Sequence, residues 1–359
     1  MRIKSFSYSS NDWVLQKIDL QEVNLLVGTN GTGKSKTLKY LNRLIAFINS
    51  ENLYLLDNYG FWKISWITDS DEIFTYQLEI KQDEDVPWDF VVSKEFLYLE
   101  DKILLQRKID NSCVIFSESE QSFDIINPPI NELALLSRRD TKAYSYIENI
   151  IEWAKNSYEL EFSSINKEHE TIHTELTHEY YPKLYYRLNN QNQNNILRNY
   201  NSIGFKISNI TYESTGRNKD YLFLTEDGLD IQIYQSDLSQ GMMRSLCLLI
   251  YIEYLISKNK TATLLIDDLG EGLDYKRAIE LGKLLFKLCE ENNIQLIVTS
   301  NDSFLMDVVN INYWNVLTRK GKVITALNKF NQPELFEDFK FTGLSNFDFF
   351  SSDYIDSHL

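Results

Sequence analysis

The order of apolar and polar positions predicts that strands and helices alternate near both ends of the chain. Residues 23–28, "VNLLVG", form a short apolar run ending on glycine, as a buried strand does, and a helix is predicted over 34–48. Near the other end, apolar strands at 261–268 and 294–300 flank a helical pattern at 276–292. This alternation predicts an α/β fold whose parallel sheet is assembled from the two ends of the chain.

Between the two ends the pattern changes twice. Short alternating runs between residues 62 and 116 predict an antiparallel meander inserted after the first helix. A helical period returns over 131–156, and residues 157–200 are polar, with weak apolar periodicity. We therefore expect a projecting helical pair or arm at 157–200. Strands are predicted again over 207–236, with an Asp-Gly turn between the last two.

These shifts in pattern divide the chain into four parts. They are an N-terminal lobe with the meander (1–130), a helical subdomain or arm (131–212), a C-terminal lobe (213–330) and an acidic, aromatic tail (331–359). The tail has two interpretations: it docks a partner, or it packs back onto its own domain.

A glycine-rich loop supplies the first candidate chemistry. "GTNGTGKS", Gly28–Ser35, fits G-x-x-x-x-G-K-[ST] between the predicted strand and helix. Glycines let successive N–H groups face a phosphate, Lys34 can reach the β- and γ-phosphates, and the Ser35 hydroxyl can ligate Mg²⁺. The strand–loop–helix context argues against a chance match. We expect ATP to be bound by Gly28, Asn30, Gly31, Thr32, Gly33, Lys34, Ser35 and Lys36.

Two carboxylates end the apolar strand of "LLIDDLGEGLD", residues 264–274. Asp267 is placed to hold Mg²⁺, and Asp268 to act as general base or to position the attacking water. Alone, a strand ending in Asp-Asp is often a turn, but paired with the phosphate loop it indicates ATP hydrolysis.

Together with "LSQGMMRS" at residues 238–245, these motifs resemble ABC-type ATPases of the branch that includes the SMC, RecF and OLD proteins. The resemblance covers roughly 1–45 and 235–310 and implies a P-loop NTPase head with a mixed or parallel core sheet. The middle of the chain looks most like the RloA-like (OLD-like) AAA ATPases of phage-defence modules. The signature residues are Leu238, Ser239, Gln240, Gly241 and Arg244.

The resemblance also implies roles for single residues. Two such heads would face each other head to tail, with Ser239 and the Gly241 N–H on the γ-phosphate held by the partner. The alternative, a Ser239 N-cap ahead of a buried helix, is compatible with this role. An aromatic such as Tyr8 would stack on adenine, with Phe6 and Trp13 as alternatives and a purely core role as the other interpretation of Tyr8. The family's D-loop falls on 272–274.

Two positions depart from that family. Asp268 stands where a glutamate is usual, and Asn301 stands at the switch histidine. Because the shorter acid holds water less closely and Asn301 cannot take up a proton, we expect slow hydrolysis, suited to a timed switch. Glu271 either assists Asp268 or is a solvated loop carboxylate.

Charge, apolar runs and cysteine content limit the kinds of partner and the compartment that we expect. The net charge of −16 counts against direct DNA binding by a single chain. No apolar run is long enough to span a membrane, and the first residues lack the apolar core of a signal peptide. The three cysteines form no metal-ligand pattern and are expected to be buried free thiols. We expect a cytoplasmic protein.

Three functions remain open. The first is a self-assembling ATPase that acts as sensor or scaffold for a separate effector, such as a nuclease or toxin, in phage defence. Only 58 residues follow Asn301, too few for the nuclease domain of OLD proteins, so we expect the effector to be another polypeptide. The second is a RecF- or SMC-type DNA-repair ATPase that clamps DNA. The third, a transporter subunit, is disfavoured by the inserted meander, the expected arm and the form of the signature.

Overall fold

A long mixed sheet runs through the part of the chain that the computed structural model describes: residues 1–49, 59–83, 90–160, 180–214, 220–229 and 231–351. The strands are β1 (Arg2–Ser9), β2 (Val14–Asp19), β3 (Val23–Val27), β4 (Gly60–Ile67), β5 (Ile73–Gln82), β6 (Phe90–Leu99), β7 (Lys102–Arg107), β8 (Cys113–Ser117), β9 (Ser122–Ile126), β10 (Ser157–Leu160), β11 (Ile207–Ser214), β12 (Asp220–Glu226), β13 (Gln232–Tyr234), β14 (Ala262–Ile266), β15 (Ile294–Thr299), β16 (Trp314–Lys320) and β17 (Val323–Leu327).

The described helices cover both faces of this sheet. They are α1 (Lys34–Ile48), α2 (Ser145–Lys155), α3 (Tyr180–Arg187), α4 (Asn190–Ser202), α5 (Gln240–Lys258), α6 (Tyr275–Glu291), α7 (Ser303–Val308), α8 (Pro333–Lys340) and α9 (Asn346–Ser351). In the described part of the chain, no helix combines the length and the apolarity that crossing a bilayer would need.

The centre of the sheet is parallel and draws on both ends of the chain, as predicted. The order is β10-β14-β15-β3-β16-β17-β2-β1-β4-β5-β6-β7-β8-β9, and β10, β14, β15, β3 and β16 pair in parallel. Strands β3, β14 and β15 are buried along their whole length, which is why they read as continuous apolar runs. Their carboxyl ends therefore share one edge, where the loop after β3 meets the carboxylates after β14.

Each face of the sheet buries its own layer of side chains. Leu264 and Leu296 belong to the cluster that includes residues of α5 and α6, whereas their neighbours Leu265 and Ile297 belong to the cluster with α1 and α2. Because successive strand residues point to opposite faces, every central strand contributes to both layers. The predicted meander is present as the antiparallel run from β4 to β9.

The expectation of a projecting arm at 157–200 is wrong for its described parts. β10 pairs with β14 at the edge of the main sheet, and α3 and α4 pack along α5. Residues that read as part of a polar stretch are buried there: Tyr185 and Tyr200 lie in the core, and Asn192 Nδ2 donates to the Glu253 carboxylate at 2.9 Å. Residues 161–179 lie outside the described part of the chain.

The predicted strands of residues 207–236 form a separate antiparallel sheet, β11-β12-β13. The tail follows the second of its two interpretations over α8 and α9. Phe336, Phe339 and Phe349 are buried, and their rings pack together beside Trp314. Residues 352–359 lie outside the described part.

Candidate functional site

The loop between β3 and α1 has a backbone that glycine makes possible. Gly31 and Gly33 have φ of 84° and 101°, the left-handed region that favours glycine. A Cβ on Gly28 would lie 2.5 Å from Thr32 Oγ1 and 2.8 Å from the Leu317 carbonyl oxygen. The loop therefore closes tightly at its base and leads into the N-terminus of a 15-residue helix, whose free N–H groups favour an anion.

Lys34 is folded against this loop. Its ammonium donates to the Gly28 carbonyl at 2.6 Å, and the residue is 6% exposed. Burial lowers the pKa of Lys34, while the charges of Asp268 and Asp267 act in the opposite direction. The structure thus brings the lysine after β3 and both carboxylates after β14 within electrostatic reach of one another.

Thr299, a residue that the sequence analysis did not single out, holds the Asp267 carboxylate and the Asp268 backbone. Its hydroxyl donates to Asp267 Oδ1 at 2.5 Å and accepts from the Asp268 N–H at 2.8 Å. Asp268 itself has φ of 52°. Burial, followed by the charges of Glu271 and Asp267, raises the pKa of the Asp268 carboxyl. The signal that could have found Thr299 is a hydroxyl at the end of the strand next to the Asp-Asp strand.

The residues at this edge fit a magnesium nucleotide. Mg²⁺ is usually bound in proteins through one or two carboxylates together with substrate phosphates and water. Ser35 is exposed in the first turn of α1, directly after the glycine loop, and the charge of Asp267 acts on Lys34 of the same loop, so a hydroxyl and a carboxylate are available at this edge. Among the described residues no group of three or more His, Cys, Asp or Glu side chains forms a metal cage.

The start of α5 lies beside the turn that follows Asp267 and Asp268. Ser239 is the N-cap of α5, and its Oγ accepts from the Met242 N–H at 3.3 Å. Gly241 is buried, and a Cβ there would lie 2.4 Å from the Gly272 carbonyl oxygen. The glycine that was expected to admit a partner's phosphate is therefore also required by contact within its own chain.

A protein-family model described as "AAA domain, putative AbiEii toxin, Type IV TA system" matches residues 23–307, a span that contains the loop, the signature and both carboxylates. The chain belongs to this family. No curated protein matches the chain.

This AAA-family chain is similar to solved SMC heads. The Smc head bound to the C-terminal winged-helix domain of ScpA is 13% identical and has a TM-score of 0.51, with 91% of this chain and 97% of that chain covered. The SMC head domain from Thermotoga maritima is 12% identical, with a TM-score of 0.49 over 91% of this chain and 99% of that chain.

The likeness to the ScpA-bound head confirms the predicted fold class, a P-loop ABC-type head with a large mixed sheet. At this level of identity the likeness shows the fold and nothing finer. The resemblance to the OLD and RloA-like branch therefore stays a prediction.

The expectation that Tyr8 stacks on adenine is wrong for this conformation. Tyr8 is 1% exposed, its ring stacks on Tyr40 at 3.7 Å between centroids, and its hydroxyl donates to the Tyr59 carbonyl at 2.6 Å. Trp13, rather than Tyr8, borders the loop, since its indole carbon lies 3.0 Å from where a Gly33 Cβ would be. Lys36 is exposed, and its ammonium lies 5.3 Å from the Trp13 ring centroid.

The outer side of the loop faces a pocket of about 570 Å³ that the sequence analysis missed. Thr29, Asn30 and Gly31 line it together with Arg319 and Phe350. The Arg319 guanidinium donates to the Gly31 carbonyl at 3.0 Å, so β16 and the tail meet the AAA phosphate loop here.

The remaining candidates lie on the other side of the carboxylates. Asn301 is exposed just after β15. Its backbone N–H favours the ionised form of Asp268 and so opposes part of the rise in the pKa of that carboxyl, which stays raised overall. Glu271 is not a free loop carboxylate, because Arg244 donates to its Oε2 at 2.7 Å.

Proposed function

We propose that this AAA-family chain binds ATP with Mg²⁺ and hydrolyses it slowly as a head-to-tail pair, and so acts as a sensor or scaffold that controls a separate effector. The convergence of Lys34, Asp267 and Asp268 beside the glycine loop carries the proposal. A cation, a phosphate cradle and two carboxylates at one sheet edge are the parts that phosphoryl transfer to water requires.

Within one subunit, the N–H groups of the loop and of the first turn of α1 bind the phosphates. Lys34 exchanges its contact with the Gly28 carbonyl for the β- and γ-phosphate oxygens. The negative phosphates then stabilise the protonated form of Lys34, which burial disfavours. Mg²⁺, when bound, supplies positive charge that neutralises these oxygens, with Ser35 and Asp267 as its protein ligands. Asp268 accepts the proton of the attacking water. Asn301 has no titratable nitrogen, and hydrolysis is therefore slow.

Pairing places Ser239 and Gly241 of one subunit over the phosphates of the other. Ser239 is exposed, and its hydroxyl hydrogen remains available while its oxygen caps α5. The N-terminus of the 19-residue α5 adds favourable partial charge toward an anion.

The family description names a putative toxin of a type IV toxin–antitoxin system, which supports a role for this chain in a system that includes a toxin. We place the chain beside the RloA-like ATPases of phage defence and expect the effector to be a nuclease or toxin. A solved Smc head binds a protein domain, that of ScpA, which supports a protein as a partner here.

A DNA-clamping ATPase of RecF or SMC type is the second candidate, favoured by the SMC-head fold. The net charge of −16 opposes it, because each phosphate contact needs a local cation against that field.

Phosphate release with and without Mg²⁺ tests the proposed chemistry. We expect Mg²⁺-dependent hydrolysis in the wild type, none in Lys34→Ala, and unchanged hydrolysis in Lys283→Gln, whose exposed side chain pairs with Glu280 on the surface of α6. Capture of partners by the Asp268→Asn chain with ATP separates the two candidates: a protein supports the sensor, and duplex DNA supports the clamp. If the wild-type protein hydrolyses no nucleoside triphosphate, the proposed enzymatic activity is refuted.

A further inference from the structure

The first turn of α5 is fastened to the turn that carries Asp268, here called the carboxylate turn (residues 267–274). The contact begins at Gly241, whose Cα faces the Gly272 carbonyl so closely that a Cβ would lie 2.4 Å from it and 2.7 Å from Leu273 Cδ2. The helix and the turn are therefore packed so closely that no side chain fits between them at position 241.

Arg244, one helical turn further along α5, makes the second contact. Its Nη1 donates to the Glu271 backbone carbonyl at 2.7 Å, and its Nη2 donates to the Glu271 carboxylate at 2.7 Å. The Arg244 side chain is 6% exposed and that of Glu271 is 50% exposed. A guanidinium that holds both the main chain and the side chain of one residue fixes its position and orientation, which a lysine cannot do.

Glu271 and Asp268 are three residues apart and are joined by a backbone hydrogen bond within the carboxylate turn. The Glu271 N–H donates to the Asp268 carbonyl at 3.2 Å, and the Leu273 N–H donates to the Gly270 carbonyl at 3.1 Å. The other end of the turn is held by Thr299, which accepts from the Asp268 N–H at 2.8 Å. The carboxylate turn is thus clamped between β15 and α5, and a displacement of α5 reaches Asp268 through Arg244 and Glu271.

We infer that Arg244 and Glu271 are positioning residues that make the start of α5 and the carboxylate turn move as one unit. This inference rests on the proposed head-to-tail pair, in which Ser239 acts on the partner's nucleotide and Asp268 on the subunit's own. Engagement of Ser239 at one nucleotide then sets the position of Asp268 at the other, so the two sites hydrolyse in concert.

The test compares Arg244→Gln, Glu271→Gln and the double variant with Lys283→Gln as the matched surface control. ADP affinity should stay within about twofold of wild type, because the loop and Lys34 are untouched. The kcat for ATP should fall about tenfold to a hundredfold in Arg244→Gln, as expected when residues in direct contact lose their coupling and Asp268 is no longer held in place.

The double variant should be no slower than Arg244→Gln, since both changes break one contact. The Hill coefficient for ATP, above 1 in the wild type, should fall toward 1. Glu271→Gln retains the backbone acceptor and should show a smaller loss. Because its side chain is half exposed, it should fold even if Arg244→Gln does not.

Two outcomes would overturn the inference, and they are distinguishable. If the variants pair with ATP and keep wild-type kcat and cooperativity, Arg244 and Glu271 do not link the sites, although the proposed function stands. If neither the wild type nor Asp268→Asn pairs with ATP, the proposed function fails and the inference fails with it.

Discussion

Replacement of Gly241 by alanine tests why glycine occupies the signature. The new Cβ would lie 2.4 Å from the Gly272 carbonyl oxygen, whereas unstrained contacts of carbon with other heavy atoms lie at about 3.5 Å. The obstacle is backbone, and Asp268 lies four residues earlier in the same turn. Either α5 or the carboxylate turn must therefore move by about 1 Å.

The cost follows from two opposing effects. Overpacking of a closed interior contact costs about 1–3 kcal/mol, and alanine in a helix gains back up to about 1 kcal/mol relative to glycine. The difference spans about 0–3 kcal/mol. Because the 2.4 Å contact is with backbone, which cannot rotate away, we expect a net loss in the free energy of unfolding of about 1–2 kcal/mol. The kcat for ATP should fall as well, because the movement displaces Asp268.

Gly282→Ala in α6 is the matched control. Its Cβ would lie 2.1 Å from Leu305 Cδ1, but that atom is the end of a side chain, which can rotate. Urea unfolding followed by tryptophan fluorescence should show a clear loss for Gly241→Ala and a smaller one for Gly282→Ala. A Gly241→Ala chain as stable as the wild type would refute the intramolecular reason for this glycine.

Three further substitutions have expected outcomes. Lys34→Ala should weaken ATP binding by about a hundredfold in calorimetry, since it removes a buried charge-assisted contact to phosphate; an unchanged affinity would mean that ATP lies elsewhere. Asp268→Asn should retain ATP binding while phosphate release slows about 10²–10⁴-fold, and near-normal turnover would remove Asp268 from catalysis. Phe349→Ala should lower the free energy of unfolding by about 3–5 kcal/mol, against about 0.5 kcal/mol or less for the exposed Phe341→Ala. Equal effects in this last pair would show that the tail does not pack as described.

Local patterns were sufficient for the central sheet and the phosphate loop. A strand buried on both faces is apolar throughout, so β3 and β14 could be recognised in the sequence together with the residues that follow them. The parallel order then requires Lys34 and Asp267 to meet at one edge. No distant contact had to be known.

The missed features depend on contacts between residues far apart in the chain. Tyr8 stacks on Tyr40, and nothing near Tyr8 in sequence shows that its ring faces a core instead of a ligand. Gly241 meets Gly272 across 31 positions, which no short motif encodes. The expected arm failed because tyrosine and asparagine read as polar, although Tyr200 is buried and Asn192 bonds the buried Glu253.

The central claim is that nucleotide joins two chains, and the molar mass of the Asp268→Asn variant tests it most directly. Light scattering with Mg²⁺ and ATP should give twice the mass of one chain, and the single mass with ADP. Adding Ser239→Arg to the same variant should restore the single mass without loss of ATP binding, because in the proposed pair Ser239 reaches the partner's nucleotide and not the one bound by its own loop. A chain that binds ATP but keeps the single mass at every protein concentration would contradict the account.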